Sequence, residues 1–211
     1  MKLFDITLPI TNDLPVWPGD PSVSLTMNTS IAKGDGCNVT GIQMGAHTGT
    51  HIDAPYHFLQ DGATIDSIPL ETFMGRCVVI EVDSEVSIQK KDILKYDIAG
   101  QSRVLVKTRN SQIWTGAFKS FDTNYVSLGK DAAQYLVEMK VLLVGIDYLS
   151  VESFNSPDSS VHKLLLMHNI IILEGLNLSG VKAGLYELFC LPLKLMGCEG
   201  APARVILRDT G

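Results

Sequence analysis

Apolar and polar positions along the chain fall into short blocks, most of them too brief for helices and β-branched enough for strands. Residues 77–82, 104–107, 141–146 and 170–173 are near-continuous apolar runs, the pattern of strands covered on both faces. Residues 3–10, 39–46, 186–193 and 204–207 read as further strands. Helical spacing is scarcer. Residues 130–139 place Ala133, Leu136 and Val137 on one side, and residues 160–168 follow a Pro-Asp-Ser-Ser run that predicts an N-cap. Residues 90–96 form a third helical stretch, and residues 155–160 are the most loop-like segment inside the body. Strands outnumber helices and alternate with them irregularly, which predicts an α/β fold with a mixed, strand-rich sheet. No repeat, low-complexity tract or linker divides the chain, so residues 1–211 are expected to form one domain.

Composition narrows the classes. Apolar residues make up 45% of the chain and charged residues 19%, enough for a buried core and far from the composition of disorder. Seventeen basic residues against 23 acidic ones leave a net charge of −6, which argues against a basic face for nucleic acid. No apolar run approaches the length of a bilayer span, and Asp5 interrupts the stretch that a signal peptide needs. A soluble, cytoplasmic protein with no membrane partner is expected. Cys37, Cys77, Cys190 and Cys198 form neither a C-x-x-C pair nor zinc-finger spacing. Cys77 and Cys190 lie in apolar runs, where a free thiol acts as a small hydrophobe.

The chemistry gathers in one segment. Three of the five histidines fall within His47-Thr-Gly-Thr-His51-Ile-Asp53-Ala-Pro-Tyr-His57. Neutral imidazole nitrogens and a carboxylate together suit Zn²⁺, Mn²⁺ or Fe²⁺, and the lack of nearby cysteine argues against a closed structural zinc site. On a straight strand His47 and His51 would stand about 13 Å apart at roughly 3.3 Å per residue. A bend at Gly49, which tolerates backbone angles other residues avoid, brings them together. Thr50 is then expected to N-cap a short turn presenting His51 and Asp53 inward, before Pro55 re-aims the chain. His57, emerging after that turn, is either a further ligand or a base beside the metal. Trp17, in the turn Trp-Pro-Gly-Asp, either packs beside the turn or serves a ligand. No G-x-S-x-G elbow and no phosphate-cradling glycine loop are present.

The pattern H-x-G-T-H-x-D-x-P-x-H, met from His47 to His57, resembles the signature of the metal-dependent cyclase family, which includes bacterial kynurenine formamidases (arylformamidases) and isatin hydrolases. The resemblance covers nearly the whole chain. It runs from Phe4-Asp-Ile-Thr7 and Trp17-Pro-Gly-Asp20 through Val144-Gly-Ile-Asp147 and Ile172-Leu-Glu-Gly-Leu176. It ends with Leu191-Pro-Leu-Lys194 and Ala201-Pro-Ala-Arg204.

That resemblance, and not spacing, implies a swivelling β/β/α fold and a homodimer or larger homo-oligomer. It implies one divalent cation on His47, His51 and Asp53, and a second on Asp53, His162 and Glu174, with Zn²⁺ first and Mn²⁺ the alternative. His57 is then the general acid/base, and Trp17 stacks on an aromatic substrate. His168 carries no such role and reads as a histidine stabilising a helix C-terminus. The implied activity is hydrolysis of an amide by metal-activated water, with N-formyl-L-kynurenine the first substrate. The alternatives are isatin or another cyclic amide, and a polyketide-type cyclisation or dehydration at the same centre. A metal-containing protein that binds a small molecule without turning it over is the reading outside enzymes.

Overall fold

The computed structural model describes residues 2–117 and 120–210. In chain order its strands are β1 (Leu3–Asp5), β2 (Ser24–Thr29), β3 (Val39–Gln43), β4 (His51–Asp53), β5 (Met74–Glu81), β6 (Ser87–Ile88) and β7 (Arg103–Lys107). These continue as β8 (Ser127–Leu128), β9 (Leu143–Ile146), β10 (Ile171–Glu174), β11 (Gly184–Phe189), β12 (Gly200–Pro202) and β13 (Ile206–Asp209). The α-helices are α1 (Lys90–Ile93), α2 (Lys130–Glu138) and α3 (Ser160–Met167).

Nine strands form one mixed sheet in the order β1-β13-β11-β5-β7-β9-β10-β4-β12. The central β5, β7, β9 and β10 run parallel, and the flanking strands pair antiparallel. Successive side chains alternate faces. Val78, Ile80, Val104, Val106, Val144 and Ile172 meet Ile93, Ala133, Leu136 and Leu165 of the helices. Cys77, Val79, Leu105 and Leu173 point the other way and meet Ile52, Leu188, Ala201 and Leu207 from the outer strands. The sheet therefore curls over its own inner face, giving the β/β/α layering.

The continuous apolar runs all became central strands, because both of their faces are covered. The expected strand over 3–10 is shorter. It is β1 plus a single bridge from Thr7 to Leu176, since Pro9 has no N–H and the Leu8 N–H is spent on Thr50 Oγ1 (2.8 Å). The helix expected over 90–96 is the single turn α1. The Pro-Asp-Ser-Ser run serves the start of α3 through its aspartate: Ser159 holds the N-cap position at φ 52° with no side-chain capping bond, while Asp158 Oδ1 accepts from Ser160 N (3.2 Å). Strands β2, β4, β6, β8 and β12 have no counterpart among the expected elements. Four of these are two or three residues long, and β2 with β3 forms a separate ribbon. All four cysteines are free. Among the described residues no helix is long and apolar enough to cross a membrane.

Candidate metal centre

The turn over residues 47–50 pivots on Gly49 at φ +63°, the left-handed angle expected of a glycine bend there. Beyond it the chain continues as a strand rather than a capped turn. Thr50 Oγ1 does not cap: it accepts from Leu8 N and donates to Gly175 O (2.5 Å), pinning the turn to the end of β10. His51 and Asp53 then lie two apart on β4 and share a face. Across the antiparallel pairing with β10, His51 stands opposite Glu174 and Asp53 opposite Ile172. Ile172 belongs to the helix-covered face, so these groups look toward α3. His162 sits in the first turn of α3 and Glu174 at the last residue of β10, where the two meet across the crossover.

The five side chains converge. His47 Nδ1 donates to Asp53 Oδ1 at 2.8 Å, and His51 Nε2 lies 3.4 Å from the same oxygen and 3.3 Å from Glu174 Oε2. His162 Nε2 is 3.4 Å from Glu174 Oε1 and 3.8 Å from Asp53 Oδ2. The donor atoms form two overlapping groups, His47–His51–Asp53 and Asp53–His162–Glu174, and within each they lie no more than 4.8 Å apart. Two buried atoms of the cluster, His47 Nε2 and Asp53 Oδ2, have no hydrogen-bond partner. A buried carboxylate oxygen without a partner is costly in protein interiors, and one aimed among imidazole nitrogens fits a divalent cation of borderline softness. The surrounding bonds orient the rings: His51 Nδ1 donates to Gly49 O and His162 Nδ1 to Glu152 Oε2, both at 2.9 Å.

Electrostatics follow from this packing. Burial opposes charge on His51 and His162, but hydrogen bonds to Asp53 and Glu174 for the first, and to Glu152 and Glu174 for the second, push both up to about 10. Burial likewise opposes ionisation of Asp53, yet the His47 and His51 partners hold it well below the usual carboxylate range. Glu174 is also held low, by His162 and His51 against burial and the Asp53 charge. His57 differs. Burial, reinforced by His47 and His162, lowers it despite Asp53, which favours the neutral ring.

His57 ends a 3₁₀ turn, Pro55–His57, and stacks on His47 with centroids 4.0 Å apart. A cavity of about 340 Å³ lies over the cluster, lined by the histidines together with Trp17, Phe58, Phe154 and Ser150. Trp17 stands 5.3 Å from both Phe121 and Phe154, so it is both packed and on the cavity wall. His168 caps the exposed end of α3, its Nδ1 donating to Leu164 O at 2.9 Å, away from the cluster.

The family model described as "Putative cyclase" matches residues 4–153. The chain belongs to this cyclase family. Among curated relatives it is 35% identical to the kynurenine formamidase of Bacillus anthracis, over 98% of this chain and 97% of that protein. It is 38% identical to cyclase-like protein 2 of Arabidopsis thaliana, over 99% of this chain and 79% of that protein. A solved structure described as a potential metal-dependent hydrolase with cyclase activity shares 37% identity at a TM-score of 0.85, covering 98% and 96% of the two chains.

One residue of this cyclase-family site is not apparent from sequence. Glu152 is buried beside His162 and accepts its ring proton. In Leu149-Ser-Val-Glu-Ser-Phe154 it reads as a solvated loop acid. Its place eight residues ahead of Ser160, the first residue of α3, gives no local signal, because the preference for negative charge at a helix start fades within the first turn.

Proposed function

We propose that this chain is a metal-dependent hydrolase that cleaves the amide C–N bond of N-formyl-L-kynurenine with water, releasing formate and kynurenine. The observation that carries the reading is a buried cluster of three imidazoles and two carboxylates forming the floor of an aromatic-walled cavity. The near-full-length relationship to a kynurenine formamidase supports the substrate.

In this reading His47, His51 and Asp53 hold one divalent cation and Asp53, His162 and Glu174 a second, with Zn²⁺ the first choice and Mn²⁺ the alternative. Such a cation lowers the pKa of water to about 7 and polarises a carbonyl. His57 supplies the proton handling. Its neutral ring takes the proton of the attacking water and returns it to the departing aryl amine as the C–N bond breaks. Trp17 and Phe154 offer ring faces to an aromatic substrate, and burial of the floor keeps its hydrogen bonds out of competition with bulk water. We propose a homodimer or larger assembly as the working form.

The test is hydrolysis of N-formyl-L-kynurenine by purified protein before chelation, after chelation with verified metal loss, and after return of Zn²⁺ or Mn²⁺. Isatin is assayed in parallel. Activity that disappears and returns with the cation is expected. Full turnover without metal overturns the mechanism, and turnover of isatin alone replaces the substrate by a cyclic amide.

A further inference from the structure

Glu152 lies in the loop between β9 and α3 and is 5% exposed. Its carboxylate accepts four hydrogen bonds. Oε1 takes Ser156 Oγ (2.6 Å) and Val161 N (3.0 Å). Oε2 takes His162 N (3.2 Å) and His162 Nδ1 (2.9 Å). Two of these donors are orphan N–H groups at the start of α3, which explains why the serines before the helix need not cap it. The backbone around it is fixed as well. Tyr125 Oη donates to Glu152 O (2.5 Å), and the preceding residue, Val151, donates its N–H to Glu174 Oε1 (2.6 Å). Consecutive residues thus grip two members of one donor group, one through a side chain and one through an amide.

An imidazole whose Nδ1–H is committed to a carboxylate has only its Nε2 lone pair left for a cation, and a ring held on one edge turns little. The Nε2 of His162 faces Glu174 Oε1 and Asp53 Oδ2. We infer that Glu152 is a positioning residue: it fixes the tautomer and orientation of His162 and so builds the Asp53–His162–Glu174 half of the cluster for a divalent cation. This rests on the ligand assignment proposed above. A residue that only capped α3 would alter stability and leave the two halves of the cluster equally able to bind.

The experiment titrates metal-free protein with Zn²⁺ against a chromophoric chelator, with ion content checked by elemental analysis. Wild type, His162→Ala, Glu152→Ala and Glu152→Gln are compared. Wild type takes two ions and His162→Ala one. Glu152→Ala weakens the second ion by about 10–100-fold, the usual cost of losing an outer partner of a ligating histidine, and leaves the first unchanged. Glu152→Gln, which keeps one oxygen for the ring proton, shows a smaller loss on the same ion. In ¹⁵N-histidine spectra of the Zn²⁺-loaded protein the His162 Nδ1–H signal shifts in Glu152→Gln and exchanges away in Glu152→Ala. Should Glu152→Ala fail to fold by circular dichroism, Glu152→Gln carries the test. Wild-type affinity for the second ion with an unmoved Nδ1–H signal, or equal weakening of both ions, overturns the role of Glu152 while His162→Ala still loses one ion. Two tight ions in His162→Ala instead refute the ligand assignment, and the inference with it.

Discussion

His51 and Glu174 face each other across the antiparallel pairing of β4 and β10, with Nε2 of one 3.3 Å from Oε2 of the other. Their neighbours Ile52 and Leu173 are also partners and point to the opposite face, where both are fully buried. A slip of one residue would send those apolar side chains into the polar cluster and the donors into the core. The hydrophobic inner layer of the sheet is therefore what holds the donors in register.

Gly175 follows Glu174 at φ +68°, and a Cβ there would run into the backbone of Gly49. Gly175→Ala is expected to destabilise the protein by about 1–3 kcal/mol from overpacking alone, and to lower cation content by displacing Glu174 from His51. Urea unfolding and elemental analysis check both, and wild-type values in the variant would contradict the close approach.

Asp53 and His57 separate holding from turnover. Asp53 belongs to both donor groups, so Asp53→Ala is expected to lose both cations. His57→Ala is expected to retain them while turnover falls about 10²–10⁴-fold, the usual worth of a general acid/base. Metal analysis beside steady-state kinetics distinguishes the two, and normal metal in the Asp53 variant would remove it from the bridging position.

Chelated protein has a definite pH response. His51 and His162 are raised from 6.5 to about 10 by their carboxylate partners, so their contribution to stability is complete below about pH 6.5 and is lost as pH rises toward 10. Asp53 and Glu174 are lowered from 3.8 and 4.5, so their contribution is present above those values and is lost as pH falls through the lowered ones. Melting temperatures of chelated protein should therefore decline between pH 7 and 10. Cation uptake must displace the imidazole protons, so a Zn²⁺ titration in weak buffer should release acid and tighten as pH rises. A melting temperature that climbs over pH 7–9 would contradict the coupling.

Trp17→Ala tests the aromatic wall. KM for N-formyl-L-kynurenine is expected to rise more than kcat falls, while an N-formyl compound without a ring is turned over as by wild type. Equal losses on both compounds would assign Trp17 to packing with Phe121 and Phe154 alone.

Much of the fold and of the site is legible in the chain itself. The runs at 77–82, 104–107, 141–146 and 170–173 are β-branched because both faces are covered, and burial of that kind leaves its mark in composition. The segment from His47 to His57 is legible because its donors are close in sequence and its glycine carries the required backbone angle. The strand character of His51–Asp53 is not, since three residues cannot display an alternation and Pro55 points to a turn. β12, with Pro202 at the sheet edge, is hidden for the same reason. His162 and Glu174 come only through family resemblance, because nothing local marks either one. Glu152 stays hidden although Ser156, Val161 and His162, the partners of its carboxylate, lie within ten residues, because the loop from β9 to α3 that buries it has no regular spacing to read.

Sharing a single carboxylate makes the donors of the cluster unequal. Under the proposed ligand set, losing a peripheral imidazole, His47 on one side or His162 on the other, removes a donor from one group only. Losing Asp53 removes a donor from both at once, so under that ligand set change is graded at the margins of the cluster and abrupt at its middle.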